Sequence, residues 1–132
     1  MRYMLDTDIC IYIANKKPKS VQQKLSALSS EDACLSAITF AELRYGAEKS
    51  RQRDQNLKIL EHLRLLISVR SFDEAASEEY GFIRAHLERK GQLIGGNDLF
   101  IAAHAKSLGL ILVTNNVREF KCVPGLTVEI WT

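Results

Sequence analysis

Hydrophobic positions along the chain fall into short unbroken runs, which read as buried strands, and longer runs at helical spacing. Tyr3 to Leu5 is a short apolar run ending at Asp6, and Ile9 to Ile13 is apolar again until Lys16-Lys17-Pro18 interrupts. This predicts a buried strand, a turn over Asp6 to Asp8, and a short helix. Ser20 to Leu28 reads as a second helix capped by Ser20, with Val21, Leu25 and Leu28 on one face. Ala33 to Ser36 reads as a strand, and Thr39 opens a helix that runs through Tyr45-Gly46-Ala47-Glu48.

Arg53 to Leu66 is a charged helix with Leu57, Leu60 and Leu63 at helical spacing, followed by a third strand over Ile67 to Arg70. Glu74 to Lys90 carries the clearest helical pattern, with Ala76, Tyr80, Ile83 and Leu87 along one face. Gly95-Gly96 breaks the chain before Asp98, and Leu99 to Leu108 is nearly all apolar and Ala-rich, which suits a helix buried on most sides. Ile111 to Thr114 and Thr127 to Ile130 supply the last strands. Strands alternating with helices predict an α/β fold with a mainly parallel central sheet flanked by helices. With no repeat, low-complexity tract or linker, residues 1–132 read as a single domain.

A chain of 132 residues with 46% hydrophobic and 26% charged residues can bury one core, which argues against disorder. The net charge of +2 gives no global field, so any nucleic-acid role must rest on local patches. Cys10, Cys34 and Cys122 lack metal-ligand spacing and read as buried or free thiols in a reducing compartment. The N-terminal residues contain no signal-peptide h-region, and no apolar run approaches the roughly 18 residues of a membrane span. The expectation is a cytoplasmic protein with no membrane association.

The acidic residues fall at element boundaries. Asp6 follows the first strand, Glu42 lies in the first turn of the helix after the second strand, and Asp98 opens the buried helix. Asn115-Asn116 follow the strand ending at Thr114. In an open parallel sheet the loops beyond the carboxyl ends of the strands converge, and ligands bind there. Each acid also has a structural reading: Thr39 to Glu42 fits a capping box, while Asp98 and Asp8 fit helix N-caps. Asp6, wedged between Leu5 and the apolar Ile9-Cys10-Ile11, should be partly buried, and buried charges are paired or bound to metal.

Crowded carboxylates repel one another unless a cation sits among them. Mg²⁺ suits such a centre, because it takes hard oxygen ligands and needs only one or two direct carboxylates; Mn²⁺ is a substitute. His62, His86 and His104 are scattered along predicted helices away from the acids, which disfavours a softer metal. His104 is expected in the core, and His62 and His86 facing solvent.

The string Tyr3-Met4-Leu5-Asp6-Thr7-Asp8-Ile9 resembles the opening of PIN-domain ribonucleases, in particular the VapC toxins of bacterial toxin–antitoxin pairs. Three further blocks agree in order. They are Ile38-Thr39-Phe40-Ala41-Glu42-Leu43 with Tyr45-Gly46-Ala47, then Ile94-Gly95-Gly96-Asn97-Asp98-Leu99-Phe100-Ile101-Ala102-Ala103-His104-Ala105, then Val113-Thr114-Asn115-Asn116-Val117-Arg118-Glu119-Phe120. Together they span nearly the whole chain.

The resemblance implies a PIN-like fold, Mg²⁺-dependent cleavage of RNA, a cognate VapB-like antitoxin, and a homodimer. It suggests structured RNA, often transfer RNA, as the substrate. Carried over by position, the family's first three acids fall on Asp6, Glu42 and Asp98, with Mg²⁺ on Asp6 and Asp98. The fourth acidic position falls on Asn116, where many members have Asp, and Glu119 one helical turn on is the residue that can replace the missing carboxylate. Asp8 stands where Asn is common in the family. Glu42, with Asn116 or Glu119, would orient the attacking water or hold a second ion.

Two basic runs, Lys16, Lys17 and Lys19 and then Arg44, Lys49, Arg51 and Arg53, together with Arg118 and Lys121, are candidate phosphate contacts. An antitoxin would insert an Arg or Lys among the acids and lay a helix on an apolar groove offered by Ile11, Ile13 and the Tyr45 region. Three alternatives stand beside this reading: a PIN nuclease of RNA processing with no toxin role, a D-x-D phosphatase using Asp6-Thr7-Asp8, and an inactive binding protein.

Overall fold

The computed structural model describes all 132 residues. Five strands, β1 (Tyr3–Leu5), β2 (Ala33–Ser36), β3 (Ser68–Arg70), β4 (Ile111–Val113) and β5 (Val128–Glu129), form one sheet in the order β3-β2-β1-β4-β5. Every neighbouring pair is parallel, with Tyr3 opposite both Ala33 and Ile111. The helices are α1 (Thr7–Asn15), α2 (Lys19–Ser26), α3 (Ala37–Glu48), α4 (Arg53–Leu66), α5 (Glu74–Arg89), α6 (Gly96–Ser107) and the short α7 (Val117–Phe120).

Side chains alternate across a strand, and the sequence supplies an apolar residue for each face. Tyr3, Leu5, Ala33, Leu35 and Val113 point into a core shared with Ile9 and Ile13 of α1, Val21 of α2, and Leu60 and Leu63 of α4. Met4, Cys34 and Leu112 point the other way, onto Ile83 and Leu87 of α5 and Leu99, Ile101, Ala102 and Ala105 of α6. The sheet is therefore sandwiched between two helical layers. Helix α3 bridges them, with Phe40 and Leu43 against the first core and Ile38 against the second. No helix is long and apolar enough to cross a membrane.

Several helix starts differ from the sequence expectation, and the reason is the same each time: the preceding strand or loop residue takes the capping role. Helix α1 begins at Thr7 rather than Ile9, because Asp6 is its N-cap and accepts from the Thr7 amide at 2.8 Å. Helix α2 starts after Pro18, without a side-chain cap from Ser20. Ser36, the last residue of β2, caps α3 by accepting from Ile38 N at 3.0 Å. The capping box from Thr39 to Glu42 is thus absent: Thr39 is buried within the first turn, its hydroxyl without a partner, and Glu42 lies in the second turn. Helix α6 begins at Gly96 with Gly95 as N-cap, so Asp98 sits inside the first turn rather than capping it.

His104 is buried, its Nδ1 2.8 Å from Ser36 Oγ and its ring edge-on to Phe72. Burial lowers its pKa, which keeps the ring neutral. His62 is exposed, whereas His86 is half-buried and stacked on Phe82. Cys10 and Cys34 are buried, Cys122 half-buried, and all three are free thiols.

Candidate functional site

Strand order reverses at β1 and β4, since the chain leaves β1 toward β2 on one side and returns to β4 on the other. The crevice beyond the carboxyl ends of these two strands is where a doubly wound sheet binds its ligand. Asp6 follows β1 there, and Thr114, Asn115 and Asn116 follow β4.

Asp6 is 5% exposed. Its Oδ1 accepts from the Thr7 amide and its Oδ2 accepts from Thr114 Oγ1 at 2.7 Å. Burial nevertheless pushes its pKa up to about 6, with repulsion from Asp8 and Glu42 outweighed only in part by these two hydrogen bonds. Thr114 does double duty, because its hydroxyl also accepts from the Asn116 amide at 3.0 Å. Glu42 Oε1 accepts from Thr7 Oγ1 at 2.8 Å, which ties the second turn of α3 to the first residue of α1.

Asp98 faces the same crevice from α6. Burial and the neighbouring Glu119 carboxyl, with repulsion from Asp6 and Glu42, push its pKa up to about 7. Glu119 is fixed in turn, its Oε1 accepting from Gly95 N at 2.9 Å and its Oε2 accepting from Asn116 Nδ2. The structure therefore gathers Asp6, Glu42, Asp98, Asn116 and Glu119 around one crevice. It places Glu119, rather than Asn116, beside Asp98.

Asp8 borders the group. Its Oδ1 accepts from the Ile9 amide and its Oδ2 from the Asn115 amide at 3.1 Å, and burial raises its pKa. Asn115 Nδ2 donates to Tyr12 Oη at 2.8 Å, and its Oδ1 accepts from Thr132 Oγ1 at 2.9 Å, so the loop after β4 is held from three directions. Thr7, Tyr12 and Thr114 were not singled out by sequence reasoning. Thr7 and Thr114 carry only the mark of a polar residue just after an apolar strand, and Tyr12, in the middle of α1, carries none.

None of these acids is ion-paired; the six ion pairs all lie elsewhere, on residues such as Glu48, Glu61, Glu79 and Glu88. No three His, Cys, Asp or Glu side chains are placed to hold a metal ion among them. Oxygen donors that repel one another without a protein cation, Asp6 buried and Glu42, Asp98 and Glu119 half-buried, fit a hard divalent ion that keeps most of its water. They do not fit a metal that demands three or four protein ligands of its own.

The PIN domain profile matches residues 3–126. The chain belongs to the PIN-domain family, in its VapC branch. It is 46% identical over 132 residues to the tRNA(fMet)-specific endonuclease VapC of Shigella flexneri, covering 100% of this chain and 99% of that protein. The crystal structure of DNA-bound VapBC from Salmonella typhimurium superposes with a TM-score of 0.95 at 41% identity, covering 100% of this chain and 99% of that one. VapBC2 from Rickettsia felis, bound to a DNA fragment from its promoter, gives a TM-score of 0.93 at 41% identity with both chains fully covered. PIN membership removes the phosphatase alternative, whose D-x-D motif belongs to a different fold.

Of the basic residues expected to face phosphate, Arg44 and Arg53 are both held on Glu48, with nitrogen–oxygen distances of 2.7 Å. Lys49 forms no ion pair and sits over the Tyr45 ring, 4.7 Å from its centroid. Ile11 is 44% exposed, whereas Ile13 is buried in the core and cannot serve as a docking residue.

Proposed function

We propose that this chain is a Mg²⁺-dependent endoribonuclease, a single catalytic domain over residues 1–132, acting in the cytoplasm as the toxin of a VapBC-type toxin–antitoxin pair. Its substrate is structured RNA of the transfer-RNA class, as the name of the Shigella flexneri relative suggests. The observation that carries the reading is the buried, unpaired Asp6 facing Glu42 and Asp98 at the sheet's switch point.

Asp6 and Asp98 would hold the ion. When bound, Mg²⁺ supplies Lewis acidity and neutralises charge on the scissile phosphate. Thr7 and Thr114 fix the direction of the carboxylates by donating to Glu42 and Asp6. Glu42 and Glu119 are the groups placed to accept a proton from, and orient, the attacking water. Asn116 holds Glu119 in position through its amide. On this account Glu119 fills the role of the absent fourth acid. Glu119→Gln then costs more activity than Asn116→Ala, read as kcat on an RNA substrate at saturating Mg²⁺; equal and small losses would mean that three acids suffice.

A groove of about 270 Å³ between α1, α3 and α4, lined by Cys10, Ile11, Leu43, Ile59 and Leu63, ends at Thr7 and Glu42. It offers an antitoxin helix an apolar seat from which an Arg reaches the carboxylates. Tyr45 lines a separate groove and lies outside this seat. The toxin reading is tested in cells. Expressing the chain alone should arrest growth, Asp6→Asn should relieve the arrest, and co-expressing the small protein encoded beside it should restore growth. Unaffected growth on overexpression, with no advantage from Asp6→Asn, would remove the toxin role while leaving the nuclease.

A further inference from the structure

A second groove, of about 560 Å³, opens between α3 and the start of α6 and shares Thr7 and Glu42 with the carboxylate crevice. Its outer wall is Tyr45 and Lys49, and its inner wall is Asn97 and Phe100. Glu42, Tyr45 and Lys49 follow one another at steps of three and four along α3, so they form one stripe on the helix surface leading away from the acids. Tyr45 is 65% exposed, and of the large apolar side chains at the surface, such as Leu65, Leu66, Phe82 and Leu93, it is the one that lines this groove beside Glu42. The Lys49 ammonium sits over the ring, 4.7 Å from its centroid, and no carboxylate holds it. Asn97, exposed and directly before Asp98, presents its amide to the same space.

An aromatic platform, an unpaired ammonium and a free amide beside a phosphodiester-cleaving centre match one ligand class, a nucleotide. We propose that this groove is a nucleobase subsite, in which Tyr45 stacks on the base adjoining the scissile phosphate and Lys49 contacts the next phosphate. The assignment rests on the ribonuclease reading. It separates two surfaces that share Glu42: the apolar groove between α1, α3 and α4 serves the antitoxin, and this one serves RNA. Arg44 and Arg53, occupied by Glu48, take no part.

The test pairs kinetics with binding. In the wild-type protein, Tyr45→Ala should raise KM for a single-stranded RNA oligonucleotide about tenfold, with kcat nearly unchanged, while Tyr45→Phe and Tyr45→Trp keep wild-type values. Lys49→Ala should flatten the salt dependence of KM by about one phosphate's worth. In the Asp6→Asn background, where cleavage is off, an oligonucleotide series carrying 2-aminopurine at successive positions should show quenching at one position, lost on Tyr45→Ala. Normal cleavage with an unchanged KM in Tyr45→Ala overturns the subsite and leaves the nuclease intact. Tyr45-dependent quenching by a wild-type protein that cleaves nothing supports the subsite and overturns the nuclease. If Tyr45→Ala instead converts a dimer to a monomer in sedimentation, a second copy of the chain covers the groove and the proposal fails.

Discussion

Asp6→Asn drops RNA cleavage below detection, leaves the fold intact, and makes the metal-free protein more stable near neutral pH. The two effects have one cause. Asp6 is buried, unpaired and facing other carboxylates, so its charge opposes the fold, and on the proposed reading it serves the ion. Its pKa rises from 3.8 in the unfolded chain to about 6 in the folded one, so the folded state binds the proton more tightly. The destabilisation is therefore fully present above about pH 6, is relieved as the pH falls, and is gone below 3.8. A shift of this size corresponds to about 3 kcal/mol. Asn keeps only part of the acceptor capacity that Thr7 and Thr114 use, so a net gain of about 1–2 kcal/mol is expected at pH 7.5. Thermal melts in EDTA should show the variant above wild type at pH 7.5 and level with or below it at pH 4. A lower melting temperature at pH 7.5, or wild-type turnover, would remove Asp6 from the centre. Asp98→Asn should behave the same way in activity, with a smaller stability gain because Asp98 is more exposed.

Phe120→Ala should cost about 3–5 kcal/mol in urea unfolding, a large share of a small domain's stability. Phe120 is the largest fully buried side chain, packed in the cluster that contains Leu87, Leu99, Leu112 and Val123. It is also the one buried residue of the four-residue α7, whose other end is Asn116. Losing it frees the turn that sets Glu119 against Gly95 N, so kcat should fall in protein that is still folded at low temperature. A loss below about 1 kcal/mol would mean that the cluster closes over the cavity and that α7 is anchored by other contacts.

The sheet could be read from the sequence because parallel strands buried on both faces leave continuous apolar runs, as in Tyr3-Met4-Leu5 and Ile111-Leu112-Val113. Helices α4 and α5 could be read from their periodicity. The helix starts were less visible, since Ser20 and Thr39 have the residue type of a cap while Pro18 and Ser36 occupy the position. Helix α7 is too short to carry a period. The convergence of the acids followed from parallel-sheet topology, but the contacts that aim them did not. Thr7 to Glu42, Thr114 to Asp6, and Gly95 to Glu119 join residues far apart in the chain, and no local pattern encodes such pairs. The ion pairs within the second basic run were equally invisible, because only the folded chain reveals that Glu48 holds Arg44 and Arg53 and leaves Lys49 free.

The most direct measurement is cleavage of an RNA hairpin by the purified chain, freed of any partner, with metal as the only variable. Carefully demetallated protein in EDTA should be inactive, and added Mg²⁺ or Mn²⁺ should restore cleavage, because the carboxylates alone offer no strong nucleophile and no charge to neutralise the phosphate. Full activity of the demetallated protein in chelator would contradict the account.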